Sequence, residues 1–146
     1  MSSKLKFLFG LLIRKILKRM TSGHRYFENE YIKLSLQEGI MHGVFAPDVR
    51  LTLEIAQQSV AGRLRLTENS SYPLLLDLRG ITSVTKEARS YCASKEAQQY
   101  ITKGAFLLRT PAQVIISHFF IFFDRPIVET KMFHKEEEAL RWLRKA

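Results

Sequence analysis

One cysteine, Cys92, is present in 146 residues, so no disulfide can form within the chain. A chain of this length buries an adequate core without such staples. A lone thiol suits a reducing compartment. No apolar run approaches the roughly 20 residues needed to span a bilayer; the run Phe7–Ile13 is far too short. No GxGxxG or GxxxxGK phosphate-binding pattern occurs. The four histidines, His24, His42, His118 and His134, lie neither near one another nor near Cys92 at zinc-ligand spacing, so no metal and no cofactor are expected. Internal repeats and low-complexity segments are also missing, which leaves a single domain.

Residues 1–20 contain no acid. They hold six of the 23 cations, Lys4, Lys6, Arg14, Lys15, Lys18 and Arg19, so the net charge of +9 is concentrated there. The rest of the chain has 17 basic and 14 acidic residues, a balance of only +3, and is not a basic platform. Aromatic and basic residues do not interleave on any predicted sheet face, so no specific nucleic acid is expected as a partner.

The segment MSSKLKFLFGLLIRKILKRM makes a poor secretory signal, because cations follow its apolar run and no small-residue cleavage site appears. On a helix, Leu5, Leu12, Ile16 and Met20 share one side, with Lys4, Lys15 and Lys18 opposite. This is an imperfect basic amphipathic helix of the kind that lies in a membrane interface. Its expected contacts with an anionic surface are Lys4, Phe7, Leu12, Arg14, Lys15, Ile16, Lys18 and Arg19. The competing reading is an incidental extension, with Met20 as the start. The expected organisation is a tail over 1–20, a linker over 21–26 and a folded domain over 27–146.

Within the domain, Ile32, Leu34 and Leu36 alternate, Glu38-Gly39 turns, and Ile40–Phe45 resumes, which predicts a hairpin. Pro47-Asp48 breaks the strand. Thr52 caps a helix whose inner face carries Leu53, Ala56, Val60 and Leu64, with Glu54, Gln57, Gln58, Arg63 and Arg65 on the wet side. The run Leu74–Leu78, broken only by Asp77, reads as a strand buried on both faces. A hydroxyl-rich loop follows, with Thr82, Ser83 and Thr85, and Thr85 is placed to cap the next helix. Ser94 is expected to cap a second helical segment, and Ala105–Leu108 to form a strand. Thr110-Pro111 starts a helix to Phe123 that is apolar nearly all round, so one face must meet something beyond the sheet: the tail, a second subunit through Val114–Phe123, or a membrane. Thr130–Phe133 is a strand and Glu136 opens the last helix. The order β-β-α-β-α-β-α-β-α predicts an α/β domain with a mostly parallel sheet of about five strands and an antiparallel edge.

The stretch YPLLLDLRGITSVTKEAR, followed by GAFLLRTP, TKMF and EEEALRWL, resembles the STAS fold of anti-sigma-factor antagonists and sulfate-transporter tails. It is also similar to small bacterial STAS-like proteins, whose fold is described as similar to CRAL-TRIO lipid-binding domains. The resemblance covers roughly residues 27–145. In antagonists the loop after the buried strand carries an Asp-Ser pair whose serine is phosphorylated. That pair falls at Thr85-Lys86 here, and lysine cannot be phosphorylated in that way, so the switch is not carried over; Ser83 or Thr85 would have to substitute. The resemblance implies an interaction loop made of Arg79, Thr82, Ser83, Thr85, Lys86 and Arg89, engaging a protein partner.

Asp77 is a lone carboxylate, and one acid without a second group does little acid–base work. It reads as an acceptor for loop amides or a partner of Arg79. Cys92 reads as packing, because no histidine lies nearby in sequence. The expectation is a non-enzymatic, cytoplasmic, regulatory or protein-interaction module. The alternative is a peripheral or lipid-associated protein at the inner membrane.

Overall fold

In the computed structural model, residues 2–21 and 25–146 are described, with side chains for 2–16 and 25–146. Of the linker expected over 21–26, residues 22–24 lie outside the described residues, and His24 with them.

A helix, α1 (Ser3–Thr21), comes first. The main sheet is built from β1 (Tyr26–Glu28), β2 (Ile32–Gln37), β3 (Ile40–Phe45), β5 (Tyr72–Asp77), β7 (Ile101–Leu107) and β8 (Thr130–Phe133), side by side in that order. β3, β5, β7 and β8 run parallel, while β1 and β2 form the antiparallel edge. The α/β class and the mostly parallel sheet are therefore as expected. The six strands exceed the predicted five by β1, which is too short to show an alternation. A separate two-stranded ladder pairs β4 (Val49–Leu51) with β6 (Ile81–Val84). Both lie in stretches that composition alone marks as breaks.

The sheet has two covered faces, and alternation along each strand decides which residue goes where. Ile32, Leu34, Met41, Phe45 and Leu74 meet α2 (Leu53–Thr67) and α3 (Lys86–Cys92) on one side. Ile40, Leu75, Ala105 and Leu107 meet α6 (Glu136–Leu143) on the other. Leu74 and Leu75 thus point into different cores, which is why β5 reads as a continuous apolar run.

Local caps hold where the sequence placed them. Thr52, Thr85 and Ser94 each accept from the backbone N–H three residues on, and Ser94 begins α4 (Lys95–Gln98). Thr110 and Gln113 form a reciprocal capping box at the start of α5 (Pro111–Phe119). The helix predicted to reach Phe123 changes character after Phe119. It continues as a π turn, Phe120–Asp124, closed by Arg125 N–H to the Phe120 carbonyl at 3.1 Å, with Arg125 left-handed.

One assignment is overturned. Arg63, placed on the wet side of α2, is 4% exposed. Its guanidinium donates to the carbonyls of Ala97 and Gln99, both at 2.8 Å. These carbonyls lie at the end of α4, and the Arg63 side chain is long enough to reach both with two nitrogens of its forked guanidinium. Burial pulls the Arg63 pKa down to about 10.

Beside α6, burial also lowers the pKa of His42 below its ordinary 6.5. The unfolded chain then takes up the proton first as pH falls, so stability is full above about pH 6.5 and declines below it, through the lowered folded value. The urea midpoint of the native protein should fall between pH 7.5 and 5.5 by more than that of His42→Gln.

Candidate functional site

The hydroxyl-rich loop is anchored from two sides, by Asp77 and by Gln113. Asp77, at the end of β5, accepts the Arg79 backbone N–H at 3.0 Å, its Nε at 3.0 Å and its Nη2 at 2.7 Å. This fork holds Arg79 folded back on its own strand, the structural role the sequence suggested, and raises the Arg79 pKa above its ordinary value. Gln113, 6% exposed, reaches down from α5. Its Nε2 donates to the carbonyls of Arg79 and Ile81 at 3.0 Å each, while its Oε1 accepts Arg109 N–H and Thr110 N–H. The pattern Thr110-x-x-Gln113 is a capping-box signature and was the available signal. What it could not show is that the other end of the same amide pins a loop more than thirty residues away.

Gln113→Ala strips partners from two N–H groups and two carbonyls. The cost should be about 2–4 kcal/mol, since each newly unsatisfied buried group costs on the order of 1–3 kcal/mol and water reaches some of them. Urea denaturation followed by circular dichroism measures it.

The predicted interaction residues divide by role. Thr85 caps α3, and Thr82 Oγ1 donates to the Val49 carbonyl at 3.3 Å. Ser83 is half-buried in β6, opposite Arg50. Lys86 is exposed. Arg89 is paired through Nε with Asp124 of the π turn, and its guanidinium lies 5.6 Å from the centre of the Phe119 ring. Arg89 and Gln113 thereby join the loop to α5, so the loop and the α5–π segment form one surface.

That surface is apolar at its far end. Ile115, Phe119, Phe122, Phe123 and Ile127 are all exposed, Phe123 to 73%. Phe119 stacks on Phe123 with centroids 5.0 Å apart, and His118 on Phe122 at 5.5 Å. The helix that was expected to need a second covering does lack one among the described residues.

A second exposed surface is α1. Leu5, Phe7, Leu8, Phe9, Leu11, Leu12, Ile13 and Ile16 are exposed, with Phe7 at 66%. Lys4, Lys6, Arg14 and Lys15 are exposed among them. The backbone of Lys18 and Arg19 continues the helix, but their side chains lie outside the described residues, as does that of Met20. Among the described residues, no helix is long and apolar enough to cross a membrane.

Chemistry is sparse elsewhere. No group of three or more His, Cys, Asp or Glu among the described residues is placed to hold a metal ion. Burial pushes the Cys92 thiol up to about 12, which keeps it protonated and poorly nucleophilic at neutral pH.

The fold is similar to that of an uncharacterized protein from the DUF3478 family with a SpoIIAA-like fold, from Shewanella loihica PV-4. The two share 16% identity and superpose with a TM-score of 0.55, over 82% of this chain and 94% of the other. SpoIIAA-like and STAS-like describe the same architecture, so the resemblance seen in the sequence holds for the fold. No curated protein matches. Residues 34–146 match the family described as a domain of unknown function, DUF7793, and the chain belongs to that family.

Proposed function

We propose that this protein is a non-catalytic interaction module that docks on an anionic membrane surface through α1. The observation that carries the reading is the exposure of eight large apolar side chains on α1 beside four described cations. Exposing such a surface to water is unfavourable by about 25 cal/mol per Å² of apolar area. A membrane interface removes the apolar side chains from water while leaving the cations at the headgroups. The test is co-sedimentation with phosphatidylserine vesicles, comparing the full chain with one beginning at Thr21. Binding by the full chain alone, weakened by salt, is expected; equal binding by both forms would refute the role of α1.

The α5–π surface favours a second reading, contact with a protein partner, for which a second copy of the chain is the simplest candidate. Five exposed large apolar side chains in one segment exceed the scattered singles normal on a monomer. The Arg79–Arg89 loop borders the same surface and would supply its polar rim through Lys86 and Arg89. Sedimentation equilibrium of the full chain and of Phe122→Ser/Phe123→Ser distinguishes the cases: a dimer that the double substitution dissociates supports self-association.

A further inference from the structure

We propose that the layer between the sheet and the helices α2–α5 is a binding site for a single alkyl chain. Two cavities lie there, of about 100 Å³ and about 70 Å³. Leu51, Leu76, Cys92, Phe106 and Phe120 wall both of them. The two are therefore consecutive compartments with a common partition. Together they exceed the roughly 150 Å³ apolar cavity that stays dry and takes up benzene in a well-studied case.

The walls select against water. A buried water requires two to four polar partners, but the polar residues of the first compartment already bond to backbone groups, Arg63 among them through the carbonyls of Ala97 and Gln99. Ser59 donates to the Ile55 carbonyl, and Thr130 to the Val128 carbonyl. The Gln98 amide bridges the Cys92 carbonyl and the Val128 N–H. No buried side-chain nitrogen or oxygen among the described residues lacks a partner. What remains is mainly a surface of Leu, Ile, Val, Ala and Phe, which rewards a guest chiefly for apolar contact. Two compartments in sequence suit a linear aliphatic chain better than a planar ring.

Two features keep the space open and reachable. Gly104, in β7, contributes no side chain where one would fit: an added Cβ would meet nothing nearer than the Thr130 Oγ1 at 3.6 Å. At Gly43, by contrast, the same atom would lie 2.8 Å from Leu76. Phe120, facing both compartments, belongs to the π turn, a helix irregularity frequent at functional sites. Its neighbours Phe119, Phe122 and Phe123 are the exposed patch outside. An alkyl chain held by that patch enters past the Phe120 ring.

The probe is 1-octanol, uncharged and short, titrated into the full chain while methyl resonances are followed by NMR. Saturable shifts are expected at Leu51, Val60, Leu76 and Ile101. Gly104→Val fills the first compartment from the strand and should weaken the titration at least about tenfold, a loss worth about 1.4 kcal/mol. It should leave the melting temperature equal or higher, because a β-branched residue suits a strand better than glycine. Val60→Phe fills the same compartment from the helix and should give the same loss, which covers any failure of the strand variant to fold. Gln57→Ala, exposed on α2 and lining neither compartment, should keep the shifts. The inference is overturned if the native chain shows no saturable shifts at these methyls, or if the two filling variants titrate as the native chain does. It is independent of α1: a chain that ignores vesicles but takes up 1-octanol leaves it standing.

Discussion

Replacing Lys4, Arg14 and Lys15 together by glutamine is expected to weaken binding of the full chain to phosphatidylserine vesicles roughly a hundredfold at low salt. Each cation near an anionic leaflet is worth about 1 kcal/mol, and about 1.4 kcal/mol is a factor of ten. All three are exposed and make no ion pair among those formed by the described residues. Their loss should therefore act on the membrane contact and leave the fold unchanged. Phe7→Ser/Leu12→Ser attacks the other component. Burying a large apolar side chain is worth about 1.5–3 kcal/mol, so this pair should weaken binding comparably but at every salt concentration. The triple variant's deficit should instead shrink at 1 M salt, where the Debye length falls to about 3 Å. Vesicle flotation across a salt series separates the two. A triple variant that binds as tightly as the native chain would remove electrostatics from the docking.

Gly80→Ala should be the most damaging single methyl in the domain. An added Cβ at Gly80 would lie 2.2 Å from the Ala46 carbonyl oxygen, 2.8 Å from its carbon and 2.9 Å from the Phe45 oxygen. All three are backbone atoms, so no rotamer relieves the clash. The loop after β5 would have to separate from the turn after β3, endangering the Val49 N–H to Gly80 carbonyl bond of 3.0 Å and the β4–β6 ladder that begins there. Overpacking of this kind costs roughly 3 kcal/mol or more. At Gly62 the same change meets the Phe27 ring at 2.5 Å, but a side chain on a short edge strand can swing aside, so Gly62→Ala should cost less. Urea denaturation of the two variants gives the ranking; a Gly80→Ala protein as stable as Gly62→Ala would contradict it.

Local chemistry was legible residue by residue. Thr52, Thr85, Ser94 and Thr110 cap the helices they precede, because a cap depends on the four or five residues around it. The alternation of Ile32 and Leu34, and the unbroken Leu74–Leu76, gave their strands because side-chain period follows backbone geometry. The basic, amphipathic character of residues 1–20 is likewise a property of spacing alone.

What the sequence could not decide is which groups meet across the fold. Arg63 looks like a solvated cation on a helical wheel, and only the arrival of α4 places two carbonyls within its reach. Gln113 looks like half of a capping box, and only the packing of α5 against the loop turns its other half into a clamp. The paired cavities beneath Phe120 have no sequence signal, because a void is defined by what several distant elements fail to fill. Period and caps are set by neighbours along the chain and are written in it; burial, partnership and empty space are set by neighbours through space, and only the tertiary structure supplies them.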